Sequence, residues 1–170
     1  MYTYESSERV VFQYAAESAQ EHAESVTQFR NFYAQELVPR AMKAGVAVTH
    51  DYKSRDNALP LPATLTIELG HYISQLDGGT QVRLYSDRPF PWRQKERQLD
   101  DFQSQALAHL KSDPNTPFAR EEVMNGVRVL RFAQADRMQA SCVAFKGHGL
   151  NQHPALCGGY VCAADLPGCS

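Results

Sequence analysis

The chain has 170 residues, 43% of them hydrophobic, which supplies the core of one domain and falls short of two. Lys and Arg number 17 against 19 Asp and Glu, a formal charge of -2; without a Lys/Arg run there is no electrostatic footprint for nucleic acid or an anionic membrane surface. The N-terminus is polar, no stretch approaches the roughly 18 apolar residues of a membrane span, and the four cysteines crowd between Cys142 and Cys169 instead of framing a disulfide-stapled fold. As written, the chain reads as soluble and untargeted.

The first third reads as a long amphipathic helix. Residues 5–24 are rich in Ala, Glu, Gln and Ser, and Val26, Phe29, Tyr33 and Leu37 recur at helical spacing as an apolar stripe that Pro39 should end or kink. That stripe either pairs with a second copy or packs on the domain's own sheet. Residues 45–61 lack a sustained period and contain Asn57, Pro60 and Pro62, which predicts a surface loop. Pro62 then opens a helix with the stripe Leu65, Leu69, Tyr72, Ile73 and Leu76, stopped at Asp77-Gly78-Gly79.

Val82 and Leu84 alternate with Arg83 and Tyr85 as a strand with one buried face, broken by Pro89 and Pro91. Leu99, Phe102, Ala106 and Leu110 mark another amphipathic helix, ended at Asp113-Pro114-Asn115. From Phe118 to Ala135 the pattern is a hairpin about Asn125-Gly126, a pair that accepts the positive φ angles of a two-residue type I′ turn. Helices followed by antiparallel strands make an α+β domain. The last stretch, rich in Gly and Cys, shows no alternation and predicts an irregular tail without a strand that completes the sheet.

Several segments in order, Arg30-Asn31-Phe32-Tyr33, His50-Asp51-Tyr52-Lys53, Leu59-Pro60-Leu61-Pro62-Ala63-Thr64, Val82-Arg83-Leu84-Tyr85-Ser86-Asp87, Pro89-Phe90-Pro91-Trp92-Arg93 and Arg131-Phe132-Ala133, lead up to Cys142. From Val26 to Ala144 the chain resembles the c-type haem family of bacterial sensor domains, found ahead of histidine kinases and nucleotide cyclases. The resemblance implies a PAS-like antiparallel sheet with a long N-terminal helix and flanking helices. It divides the chain into an entry helix (1–25), a sensor domain (26–144) and the tail (145–170). It also implies a periplasmic location, haem c as cofactor, a homodimer formed through the N-terminal helix, and a signalling output domain or protein as partner.

Covalent haem attachment needs two thiols two residues apart and a histidine directly after the second. Cys142 is instead followed by Val143, Ala144, Phe145, Lys146 and Gly147, and His-Pro arrives only at His153-Pro154. Cys142 is therefore a candidate for a single thioether, a redox thiol or a plain half-buried cysteine. His148 and His153 are the candidate iron ligands, set in a glycine-rich segment that does not by itself fix an imidazole. The Cys/His-rich tail has irregular spacing and no Cys-x-x-Cys, a weak zinc pattern. Loss of resemblance after Ala144 also fits a tail translated in a different frame from its ancestor. By resemblance, Arg83 and Tyr85 line a cavity wall where an arginine would hold a propionate or other carboxylate; the alternative is a solvated strand face.

His50-Asp51 and Glu121-Glu122 carry no nucleophile beside them, and the chain has no Gly-x-Ser-x-Gly, phosphate loop or His-Glu-x-x-His. The expected function is a signal-input domain, not an enzyme, sensing redox state or a small ligand and signalling through its N-terminal helix. The alternative is a haem-free small-ligand or protein-interaction module, or a degenerate, non-functional family member.

Overall fold

The computed structural model describes residues 2–76, 81–86, 89–96, 98–136 and 159–163. Helix α1 (Tyr2–Phe32) runs into a π-helical turn (Tyr33–Leu37) and α2 (Val38–Lys43). Pro39 has no N–H to donate, and just ahead of it the bonding widens to a five-residue step: the Val38 N–H bonds the Tyr33 carbonyl. The helix is therefore interrupted before the proline and resumes through it.

The buried face of α1 is Ala19, Ala23, Val26 and Arg30, continued by Tyr33 in the π-helical turn; Val26 and Tyr33 of the expected stripe are thus buried, whereas Phe29 and Leu37 are exposed. Both stripes have helical spacing. The inward one wins because alanines let the helix lie close on the sheet and because Arg30 finds a buried partner, which an apolar periodicity cannot foresee.

The expected surface loop at 45–61 is corrected in part. It holds β1 (Ala47–Thr49) and β2 (Ala58–Pro60), paired in parallel, around a 3-10 turn at Tyr52–Ser54. Three-residue strands are too short to show a period. The Tyr33 hydroxyl donates to the Pro60 carbonyl at 2.7 Å, tying this unit to the helix.

Helix α3 (Pro62–Leu76) starts at its proline as expected, but its buried face is Pro62, Thr66 and Gly70, and Tyr72 and Leu76 are exposed. Gly70 is there for closeness: a Cβ on it would lie 2.3 Å from the Val82 carbonyl oxygen. That contact seats α3 beside β3 (Arg83–Tyr85). Helix α4 (Asp101–Ser112) buries Phe102, Ala106, Leu107 and Leu110, and begins with a reciprocal cap between Asp100 and Gln103.

The hairpin forms as the Asn-Gly pair predicts. Strand β4 (Phe118–Met124) pairs with β5 (Val127–Asp136) in the register Met124 to Val127, with Asn125 at φ 53° and Gly126 at φ 81°. The tail expectation is corrected. Residues Gly159–Ala163 form β6, which lies between β3 and β5, so the antiparallel sheet has the order β3-β6-β5-β4. A central strand, with layers on both faces of its sheet, need not alternate apolar with polar, so its pattern gave no signal. The rest of the 145–170 tail lies outside the described residues. The fold is α+β.

The sheet separates two apolar layers. On one face Val82, Leu84 and Phe132 meet Ala19, Ala23 and Val26 of α1 and Ile73 of α3. On the other, Tyr85, Phe118, Ala133 and Ala135 meet Phe102, Ala106, Leu107 and Leu110 of α4. At the end of β5, on the α1 face, Asp136 accepts hydrogen bonds from both terminal nitrogens of Arg30. Their side chains are only 2% and 8% exposed.

Two outcomes are expected. Asp136→Ala strands a buried guanidinium and should lower unfolding stability by about 3–5 kcal/mol in urea titration, while the double variant Arg30→Met, Asp136→Leu regains most of it. Gly70→Ala, in a helix where alanine ordinarily gains about 1 kcal/mol, should instead lose roughly 1–3 kcal/mol because the Val82 carbonyl must move.

Candidate functional site

Three segments distant in sequence meet over the outer face of α3. Helical spacing brings Thr64, Ile67, Glu68, His71, Tyr72 and Gln75 to that face, opposite the buried Pro62, Thr66 and Gly70. The β1–β2 connection contributes His50 and Lys53, and a 3-10 turn at Pro91–Glu96 contributes Trp92 and Arg93. Together they enclose an open groove of about 520 Å³, within the size range of small-ligand sites.

The groove is ordered by ring stacking and by a charged cluster. Trp92 lies parallel to His50, with centroids 4.2 Å apart, and to Phe90 at 4.8 Å. Lys53 pairs with Glu68 at 2.7 Å, and the Tyr52 hydroxyl donates to the same carboxylate at 2.6 Å. Partial burial pushes the Glu68 carboxyl up, but hydrogen bonds from Lys53 and Tyr52 and the nearby Lys53 and His71 charges outweigh it, leaving it below its ordinary value. Its contribution to order is thus present above the ordinary carboxylate range and lost as pH falls through its depressed value.

Beside His50, Asp51 fixes the turn. Its carboxylate accepts from the Thr49 hydroxyl and from Arg55 at 2.8 Å. The Thr49 bond, then Arg55, hold its pKa at about 2.

Of the sequence candidates, Arg83 and Tyr85 do not line this groove. Arg83 is exposed and donates to the Gln81 side chain at 2.9 Å. Tyr85 packs against the α4 layer. Their strand face looks towards α4, whereas the groove lies on the outer side of α3. Cys142, His148 and His153 lie outside the described residues. The groove residues that sequence reasoning missed were His71, Glu68 and Arg93; the i, i+3 spacing of Glu68 and His71 on α3 was the only trace of them. Among the described residues no group of three His, Cys, Asp or Glu could hold a metal ion, and no helix is long and apolar enough to cross a membrane.

In Thr49→Ala the Asp51 carboxyl should titrate well above its value of about 2, back towards the ordinary 3.8. Because a depressed carboxylate stabilises above its unfolded pKa and stops doing so as pH falls through the folded one, the native turn at residues 50–55 should loosen between pH ~4 and about 2. The same turn in Thr49→Ala should loosen at higher pH. NMR titration of the Asp51 side chain and of the His50 and Lys53 amides reads both.

No curated protein and no solved structure matches the chain. A family model matches residues 8–152, from the first third of α1 to beyond Ala144, where the sequence resemblance had ended. The chain belongs to the Tll0287-like family, a cytochrome c-like family of sensor-type domains.

Proposed function

We propose that the chain is the PAS-like signal-input domain of a sensor, that it reads a small ligand without covalently attached haem c, and that α1 carries the signal to an output partner. The donor set does not fit two-thioether attachment. The whole sequence contains no Cys-x-x-Cys-His; Cys142 offers one thiol, and Phe145 and Lys146 stand where the second thiol and the ligand histidine would be. No step of the function is therefore routed through haem.

The observation that carries the reading is the two-faced character of α1. One face is committed to the sheet and to Asp136, while the other presents Val11, Tyr14, Phe29 and Phe32, 49%, 69%, 46% and 54% exposed. Val11 and Phe29, and likewise Tyr14 and Phe32, are 18 residues apart, five full turns, so all four fall on one straight stripe. Ser18 and Ser25 lie between them and allow close approach. A stripe with apolar ends and a small middle is self-complementary, which favours a second copy of the chain across a two-fold axis. A shift in the core face of α1 is then felt directly at the dimer seam. A periplasmic setting and a role other than catalysis follow the family reading.

Two measurements test this. Sedimentation should show a dimer that becomes monomeric in Tyr14→Glu, Phe29→Glu while the circular dichroism spectrum is kept. Co-expression with haem-maturation machinery should give no haem stain on a denaturing gel. A persistent stain that disappears in Cys142→Ala would restore the haem-sensing function in full.

A further inference from the structure

We propose that two copies of the chain paired through α1 run parallel and in register, each residue of the outward stripe meeting its own copy, with Glu21 beside the partner's His22 on both flanks of the seam. This rests on the reading of α1 as a dimer helix and supplies the orientation that the stripe alone leaves open.

Val11 with Phe32, Tyr14 with Phe29, and Ser18 with Ser25 are placed symmetrically about the middle of α1, every pair centred between Glu21 and His22. Apolar and small residues therefore match in either direction. The Ser25 hydroxyl already donates to the Glu21 carbonyl at 2.8 Å, so the small middle brings no unpaired hydroxyl donor into a close contact. Charge and bulk at the flanks separate the two directions.

At about 100° per residue, Glu21 lies roughly 50° to one side of the stripe's midline and His22 roughly 50° to the other. Both are exposed. Glu17 and Glu24, exposed as well, fall on the Glu21 side, roughly 90° and 110° round. A two-fold axis perpendicular to the helices brings like flanks together, so Glu21 faces the partner's Glu21 within about one residue's rise, with Glu17 and Glu24 behind it. An axis parallel to the helices brings opposite flanks together, and Glu21 faces the partner's His22 twice. The His22 Nδ1–H donates to the Ser18 carbonyl at 2.7 Å, which leaves Nε2 to donate to that carboxylate whenever the ring is charged.

The body of the domain favours the same direction. Ala19, Ala23, Val26 and Arg30, which face the sheet, lie roughly 90° to 150° round on the His22 side. Parallel helices put the two sheets on opposite sides of the seam, whereas antiparallel helices put both on one side, where they compete for the same space.

A photo-reactive benzoylphenylalanine in place of Phe32 reads the orientation. In the cross-linked dimer, fragmentation mass spectrometry should find the attachment within residues 28–36 of the partner. Attachment within residues 7–15 would overturn the orientation and keep the dimer; a monomer at every concentration would overturn both the seam and the reading beneath it. Sedimentation gives a second readout. His22→Lys, a fixed cation beside the partner's Glu21, should tighten the dimer about three- to tenfold, an effect that salt at about 0.5 M removes. His22→Glu alone should weaken the dimer, and Glu21→Lys combined with His22→Glu should restore it. Circular dichroism establishes that each variant is folded. A folded His22→Lys dimer no tighter than the native one, or an exchanged pair no tighter than His22→Glu alone, would overturn the proposal.

Discussion

The pairing of Arg30 with Asp136 constrains nearly everything else in this domain. A guanidinium and a carboxylate, both removed from water, are stable only if each satisfies the other, and here both terminal nitrogens reach both oxygens. The pair therefore fixes the rotation of α1 about its own axis and its height along β5. With that rotation set, Ala19, Ala23 and Val26 point into the sheet, and Phe29 and Phe32 are turned out to solvent. The outward apolar stripe of α1 is thus a consequence of a charge pair on the opposite side of the same helix. Replacing the pair with apolar groups would keep the contact but leave the rotation less defined.

The sheet passes constraint from α1 to the groove. Phe132 and Ala133 are neighbours in β5 and enter opposite layers, so any shift of β5 is felt by α1 on one side and α4 on the other. Among the described residues, strand β3 is hydrogen-bonded to the rest of the sheet only through β6, and α3 sits beside it by the close approach of Gly70 to the Val82 carbonyl. That contact leaves no slack. Close packing of this kind transmits displacement instead of absorbing it.

The second face of the sheet is held differently. Arg131 stacks on the Phe102 ring, 4.4 Å from its centroid, and bonds Asp100 at 2.7 Å, the residue that also caps α4. Arg120 reaches Asp101 and Glu122 from the neighbouring strand. These partly exposed charges contribute little stability each, but they set the register of α4 over the hairpin. Strand β4, at the edge, carries Arg120, Glu121 and Glu122 in succession, which discourages further strand pairing.

Local chemistry was enough for some of this. The Asn125-Gly126 turn, the start of α3 at Pro62, the α4 stripe and the alternation at β3 were all legible, because each depends on neighbours in the chain and on one rule of backbone geometry. The missing haem-attachment motif is likewise a property of residue order alone. What only the tertiary structure decided was which of two helical stripes on α1 is buried, whether residues 159–163 are a strand, and which charges share a groove. The first turns on an ion pair spanning 106 positions, the second on hydrogen bonds supplied by strands on both sides, and the third on three segments that meet only once the sheet has formed. Arg83 and Tyr85 show the same limit from the other side: a strand's alternation says that two residues share a face, but not which layer of the protein that face will meet.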